Sequence, residues 1–385
     1  MTSFATLPGG GPVRLVLVGA GNMGQHWMRM LEQSNNVELV GLVDLDLDLA
    51  RRVAAGQGIS VVVGDSLTAV ARECGAEAVV DVTVPRAHHA VNTEALFAGL
   101  PVLCEKPIAP TVAETLSLIA AAELSGQLLM TSQSRRYYPA LAELKGVVAT
   151  LGDIGMVTTE FFKAPHFGGF RDEMAHPLLI DMAIHAFDVS RYLLDADPVR
   201  VDCRTFNPNW SWYRGDAAAT ALFEFEGGTR YSYAGSWCSP GLETSWNGNW
   251  RVSGSRGTAT WDGEGEPAVE YEGDAVHTIT ADRADPARAE IAGALDEFVD
   301  ALRTGLTPSG DVHSNVHSLA MVEAAVLSAE RAGSVEIASV MDDAYRTAID
   351  NERRADVRAA LESWGAASAR LSNHNAERDL SPERQ

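Results

Sequence analysis

Six residues near the start of the chain, Gly19-Ala20-Gly21-Asn22-Met23-Gly24, join an apolar run, Val13–Val18, to a segment with helical spacing. In that setting Gly19 permits a tight turn, Gly21 lets a diphosphate approach the backbone, and Gly24 lets the helix pack on the strand. The helix N-terminus then presents unsatisfied N–H groups and its positive dipole end to the phosphates. An acid is placed to complete the pattern. Asp44 ends the second apolar run, 20 residues after Gly24, where a carboxylate would accept hydrogen bonds from ribose hydroxyls. Asp46 and Asp48 follow too closely for that role and read as solvated acids of a helix start. The chemistry implied is dinucleotide binding.

Two further constellations could act on a substrate. Cys104-Glu105-Lys106-Pro107 follows the fifth predicted strand, and in an open parallel sheet ligands bind beyond the carboxyl ends of strands. Lys106 would sit there beside a nicotinamide, with Pro107 restraining its backbone; the four residues by themselves fit an exposed surface lysine equally well. In His176-Pro-Leu-Leu-Ile-Asp181-Met-Ala-Ile-His185, Asp181 and His185 are four apart on a predicted helix and share a face. A carboxylate beside an imidazole can orient it and tune it as a general base. A metal site from His176, Asp181 and His185 is disfavoured, because the spacing matches no known ligand pattern and no fourth ligand is evident.

Substrate contacts are expected from Phe167-Gly-Gly-Phe-Arg171 and from Trp210-Ser-Trp212-Tyr-Arg214. Tryptophan faces stack on the C–H faces of sugars, and arginine binds hydroxyls or carboxylates. Trp237, Trp246 and Trp250 serve equally to cover a sheet or an interface between copies.

The elements that must position these groups can be read from periodicity. Up to Thr131 the chain alternates short apolar runs with helical segments: Val13–Val18, Val37–Val43, Ile59–Val63, Ala78–Val84, Val102–Cys104 and Gln127–Thr131 as strands. Leu45–Ala55, Ser66–Cys74, Ala87–Ala98 and Val112–Ser125 are among the intervening helices. Repeated units of this length predict a doubly wound parallel sheet, an α/β Rossmann domain over 1–131. From 132 to 340 the pattern predicts an α+β domain with a mostly antiparallel, open-faced sheet. Its strands are Met156–Ala164, Val199–Phe206, Ala218–Glu226, Thr229–Trp237, Asn249–Ser253 and Thr258–Trp261, and its helices Pro139–Ala149, His176–Leu194, Ala287–Thr304 and Val312–Arg331. Glu226-Gly227-Gly228 signals a hairpin. Residues 341–385 read as a charged helix to about Trp364 and a polar tail.

Composition narrows the class. The 385 residues include 30 Lys+Arg and 52 Asp+Glu, a net charge of −22. Such a surface repels phosphate backbones and anionic lipid, so no nucleic-acid or membrane partner is expected. Of that charge, −10 falls between Asp262 and Asp300. The four cysteines form no Cys-x-x-Cys pair, no apolar run reaches spanning length, and Met1–Pro12 has neither a basic start nor a long apolar core. A cytoplasmic location is expected. A sheet with one uncovered face predicts a homo-oligomer, a homodimer or homotetramer, with Tyr231, Tyr233 and Gly235 as candidates for a flat sheet–sheet contact.

Taken together, these segments resemble the glucose–fructose oxidoreductase/inositol dehydrogenase/rhizopine-catabolism (Gfo/Idh/MocA) family over residues 13 to 338. The matching motifs are Gly19–Gly24, Pro85-x-x-x-His89-Ala90, Cys104–Pro107, Arg136-Tyr-Tyr-Pro139 and Asp181-x-x-x-His185-x-x-Asp188. The endings Phe298–Gly305 and Ala324–Ser328 also resemble the family's last helices. The resemblance implies NAD(P) and reversible oxidation of a sugar or polyol hydroxyl; Asp44, which would face the 2′-phosphate of NADP, makes NAD the expected cofactor, and no metal is expected. The resemblance also implies Lys106, Asp181 and His185 as the catalytic set. Asn22, Met23, Pro85, His89 and Glu105 would join Gly19, Gly21, Gly24, Asp44 and Lys106 at the cofactor. Arg136 would join Phe167, Arg171, Trp212 and Arg214 at a carbohydrate or polyol substrate, beside the catalytic set. Two departures stand out: Ala183 replaces a glycine usual between the Asp and the His, and the chain continues past 340. The motifs leave open an NAD-assisted glycoside-cleaving enzyme and a non-catalytic dinucleotide or sugar sensor of the same fold.

Overall fold

In a computed structural model, residues 4–279, 289–368 and 370–371 are described. The chain forms two compact units, one of residues 1–134, 290–316 and 341–385, the other of residues 135–289 and 317–340.

The first unit holds β1 (Val13–Val18), α1 (Asn22–Gln33), β2 (Val37–Val43), α2 (Leu47–Gln57), β3 (Val62–Gly64), α3 (Leu67–Cys74), β4 (Ala78–Asp81), α4 (Pro85–Phe97), β5 (Val102–Glu105), α5 (Val112–Ser125) and β6 (Leu129–Ser132). All pairings are parallel, in the order β3-β2-β1-β4-β5-β6, so the expected Rossmann sheet is present. The order reverses between β1 and β4, which makes the ends of those two strands the ligand crevice. Leu15, Val16, Leu17, Val79, Val80, Val102 and Leu103 are fully buried, as apolar strands covered on both faces must be. Local signals set the helices. Asp46 Oδ1 accepts from Leu49 N to start α2, Thr111 Oγ1 from Glu114 N to start α5, and both end at a left-handed glycine, Gly58 and Gly126.

In the second unit are α6 (Pro139–Val148), β7 (Ile154–Phe162), a π-helical turn Leu178–Ala183, α7 (Ile184–Leu194), β8 (Pro198–Phe206), β9 (Ala218–Phe225), β10 (Arg230–Ser236), β11 (Asn249–Gly254), β12 (Gly257–Trp261), β13 (Ala268–Tyr271) and β14 (His277–Thr278). The chain continues as α8 (Glu290–Thr304), α9 (Val312–Arg331), β15 (Val335–Glu336), α10 (Ile337–Asn351) and α11 (Ala355–Ser363). The nine-stranded sheet runs β14-β13-β12-β11-β7-β10-β9-β8-β15 and is antiparallel except for β7 with β10. The expected turn at Glu226–Gly228 joins β9 to β10.

Four expectations change. The linear division at 131 and 340 gives way to discontinuous units. Asn36 Nδ2 donates to Asp296 of α8, and Arg303 donates to the carbonyls of Leu7, Pro8 and Gly11, which hold α8 on the first unit. The charged helix expected from Met341 to Trp364 is two helices, broken where the Glu352 side chain accepts from Arg354 N. The frayed tail expected beyond it falls largely outside the described residues, as do residues 287 and 288 of the predicted helix from Ala287. Tyr231 and Tyr233 do not line an outer face. They stand in register with Phe223 and Ala221 on the face that α7 covers, with Phe187 edge-on to both rings at 6.3 and 5.4 Å. The opposite face presents Asp202, Leu222, Thr158, Glu160, Arg251 and Thr260, which is mostly polar. Finally, the single helix His176–Leu194 is a π-turn followed by α7.

A buried charge cluster ties α5, α9 and the C-terminal segment within the first unit. His313 Nδ1 lies 2.9 Å from Asp311 Oδ1 and Nε2 3.2 Å from Glu123 Oε1, and Arg370 also donates to Glu123. Burial opposes the charge on His313, but the two carboxylates outweigh it and push its pKa up to about 9 from 6.5. A raised pKa stabilises the fold fully below 6.5, and that contribution is lost as pH rises through about 9. The advantage of the wild type over His313→Gln in denaturant unfolding should therefore shrink between pH 6 and pH 10, by at most about 3 kcal/mol. An advantage independent of pH would contradict the assignment.

Candidate active site

The glycine turn has the geometry its spacing implies. Gly19 has φ +108°, and a Cβ there would lie 2.8 Å from the carbonyl oxygen of Val82. A Cβ on Gly24 would lie 2.0 Å from the carbonyl oxygen of Gly19, so α1 can approach the turn only without a side chain. Gly21 is different: its φ is −66°, and nothing lies within 4 Å of the position its Cβ would take. That open space lies over the N-terminus of α1, which no side chain caps. Asn22 and Met23 are exposed beside it. These residues fit a diphosphate, with first-turn N–H groups to spend on it.

Asp44 lies at the end of β2, half-buried. Its Oδ2 accepts from Ala20 N at 2.7 Å and its Oδ1 from Asp46 N at 2.8 Å, so the carboxylate braces the turn that would hold the diphosphate. Each oxygen keeps a further lone pair for a ribose hydroxyl. Pro85 is the first residue of α4, in the crevice beside β4.

Other expected cofactor residues are committed within the unit. Glu105 Oε1 accepts from Trp27 Nε1 at 2.9 Å and its Oε2 from Lys106 N at 3.1 Å, so its carboxylate fixes the turn that carries Lys106. Lys106 itself is half-buried, and its peptide bond to Pro107 is cis. His89 points to α5, with Nε2 3.0 Å from Ser117 Oγ, which in turn bonds Glu352. Its neighbour His88, not among the sequence candidates, is fully buried against Pro107.

Asp181 and His185 lie in the second unit, Asp181 within the π-turn and His185 at the second residue of α7. Asp181 Oδ2 accepts from Arg171 Nε at 2.7 Å. The Arg171 guanidinium lies 5.5 Å from the Phe167 ring centre and 4.8 Å from that of Phe170, both rings more than half exposed. His185 lines a gap of about 10 Å³, the size of one water molecule, with Thr159, Arg135, Asn247, Trp246, Trp250 and Trp261, among others. Trp246 is partly exposed, whereas Trp237 and Trp250 are core residues. The Ala183 methyl is fully buried. Arg136 is not free to meet a ligand with its fork: Nε and Nη2 both bond Asp188 at 2.7 Å, and Ser318 Oγ bonds the same carboxylate. Trp212 stacks on His166 at 3.5 Å, and Arg214 forms an exposed ion pair with Glu173.

The comparisons with known proteins agree with this fold. Residues 13–133 match the model of the oxidoreductase family with an NAD-binding Rossmann fold, and residues 143–260 match the GFO/IDH/MocA C-terminal domain. An uncharacterised protein of Sinorhizobium fredii, y4oX, is 30% identical over 65% of this chain and 72% of its own length. Inositol 2-dehydrogenase 1 of Saccharopolyspora erythraea is 33% identical over 49% of this chain and 56% of its own. An inositol dehydrogenase homologue of Azotobacter vinelandii, crystallised with NADH and myo-inositol, shares the fold with a TM-score of 0.74, 23% identity and coverage of 87% of this chain and 100% of that one. The chain belongs to the GFO/IDH/MocA family of NAD-binding oxidoreductases.

The open space at Gly21 makes a specific prediction. Gly21→Ala should fold normally, since its backbone is extended and its Cβ meets nothing, yet the methyl would occupy the path of the diphosphate. NAD affinity by calorimetry should fall at least about tenfold, roughly 1.4 kcal/mol, with the melting temperature of the free protein unchanged. Unchanged affinity would place the diphosphate elsewhere.

Proposed function

We propose that this protein is an NAD-dependent dehydrogenase that oxidises a secondary hydroxyl of a sugar, cyclitol or related glycoside to a ketone, or runs the reverse reduction. The observation that carries the reading is the NAD crevice of a GFO/IDH/MocA chain, with Asp44 bonded to the glycine turn and Lys106 on a turn fixed by Glu105 at the end of β5. The exposed Phe167 ring and the Arg171 guanidinium beside it suit the C–H face and the hydroxyls of a sugar. The inositol 2-dehydrogenase among its relatives supports the substrate class.

When bound, the nicotinamide supplies the hydride acceptor. His185 takes the proton of the reacting hydroxyl. Lys106 hydrogen-bonds the same oxygen and stabilises its developing negative charge. Asp181, already gripped by Arg171, restrains the start of α7 and can accept from a neighbouring hydroxyl. Phe167 and Arg171 form an exposed aromatic and cationic border for the sugar. We assign Trp212 and Arg214 to its outer rim.

The cofactor is NAD rather than NADP, because Asp44 would face the 2′-phosphate. Unit charges about 4 Å apart repel by ~1 kcal/mol in water and ~4 at an effective dielectric of 20. Arg51 does not offset this, since it is turned toward Asp48 on its own helix. The working form is a homodimer or homotetramer, with contacts drawn from the polar outer face of the sheet. Four free, buried cysteines fit a reducing, cytoplasmic setting. No described helix is long and apolar enough to cross a membrane.

Two measurements test the reading. His185→Ala and Lys106→Ala should each lower kcat by ~10²–10⁴ without a matching loss of melting temperature or of NAD affinity. Retention of a third or more of kcat by His185→Ala would rule out the general-base role. Turnover with NADP should have a kcat/KM lower by a few-fold to several hundred-fold, and equal values would reject the role of Asp44.

A further inference from the structure

The turn that carries Lys106 is held by a histidine. His88, in the first turn of α4, has both ring nitrogens on backbone oxygens: Nδ1 is 2.7 Å from the carbonyl of Pro107, and Nε2 is 3.0 Å from that of Thr83. A carbonyl oxygen only accepts. A neutral imidazole has one N–H, so one nitrogen would turn a lone pair toward an oxygen at hydrogen-bond distance. Reversing the ring does not help, because a carbon would then sit 2.7 Å from the Pro107 oxygen. C–H···O contacts lie at about 3.3–3.6 Å.

The surroundings supply the counter-charge. Asp81, at the end of β4, is fully buried with a carboxylate oxygen within 4.8 Å of a His88 nitrogen. Its Oδ1 accepts from the N–H and O–H of Thr83 at 3.0 and 2.7 Å, and the Cys104 thiol, 3.3 Å from the carbonyl of Glu105, lies 3.8 Å from Asp81 Oδ2. Burial raises the Asp81 pKa above the usual range, and the His88 charge and the Thr83 donors pull against that rise. Asp81, His88 and Cys104 are also metal-ligand types in one cluster. A ring nitrogen that donates to a carbonyl has no lone pair to give an ion, so the cluster is a hydrogen-bonded brace.

We infer that His88 is a positioning residue for Lys106: its ring, protonated at both nitrogens, ties Pro107 to Thr83 and holds the Glu105–Lys106–Pro107 turn against the loop that follows β4. The inference rests on the reading of Lys106 as the group that binds the reacting oxygen. Glu105, bonded to Trp27, braces the same turn from its other side.

The test has a spectroscopic and a kinetic arm, both on the full chain. With histidine labelled by ¹⁵N, both ring nitrogens of His88 should show a directly bonded proton at pH 7. Their signals are identified by absence from His88→Gln, or from His88→Asn if the former does not fold. One unprotonated nitrogen overturns the inference. In the kinetic arm His88→Gln should lower kcat by about 10- to 100-fold, with KM and ADP-ribose affinity within about twofold, because a misplaced lysine misses the reacting oxygen. In a Lys106→Ala background the same change should cost less than about twofold, since the lysine is no longer there to misplace. Losses that multiply, or a fully active His88→Gln beside an inactive Lys106→Ala, overturn the positioning role alone. A fully active Lys106→Ala overturns the reading of Lys106 and this inference with it.

Discussion

The first unit depends on one close approach. Gly24 lets α1 come so near the turn after β1 that a single methyl would lie 2.0 Å from the Gly19 oxygen. That approach fixes where the helix N-terminus points, and the parallel sheet fixes what else reaches the same crevice. Asp44 arrives at the end of β2 and bonds Ala20 within the turn, so the acid that would meet the ribose also stiffens the diphosphate cradle. Lys106 arrives at the end of β5 on a turn braced by Glu105 and Trp27. Two candidate site residues thus come from strand ends, each on a turn fixed by hydrogen bonds to backbone N–H groups.

The second unit depends on a buried ion pair. Asp188 of α7 is fully buried, and its carboxylate is met by two nitrogens of Arg136 and by Ser318. Losing either partner would leave a charge uncompensated in the core, a cost of about 3–5 kcal/mol. The pair pins α7 one turn after His185, while Phe187 packs against Tyr231 and Tyr233 of the sheet. Helix and sheet together hold His185 at the small gap between them. Not every polar motif residue near Asp181 and His185 is therefore placed to meet a ligand: Arg136 holds the helix.

Much of this was legible in the sequence because the relevant signals are local. Gly19–Gly24 and Asp44 are placed by one β-α-β repeat, and Val112–Ser125 by a Thr cap and a terminal glycine. Where longer-range packing decides, periodicity is silent. The return of α8 to the first unit rests on contacts of Arg303 with Leu7 and Pro8, almost 300 positions away in the chain. The π-turn at Leu178–Ala183 adds a residue to a helical turn without altering the apolar pattern. The strands β14 and β15 have two residues each, too few to show alternation. His88 and His89 differ by one residue, which on a helix is a rotation of about 100°. The motif spacing picked His89, whereas the fold turns His88 toward the Lys106 turn and His89 toward Ser117. Tyr231 and Tyr233 had the right alternation but the wrong partner: the period says that they share a face, not which face a helix covers.

Hydride movement between a sugar carbon and NAD is the step on which the proposed function stands. It is tested most directly by single turnover of stoichiometric enzyme and NAD with a sugar or cyclitol carrying deuterium on its carbinol carbons, followed by mass analysis of the recovered nicotinamide. Reduced cofactor bearing one deuterium and a ketone product that has lost it are the expected outcome. Recovery of unlabelled, oxidised NAD alongside a cleaved or otherwise altered substrate that has kept its deuterium would contradict it.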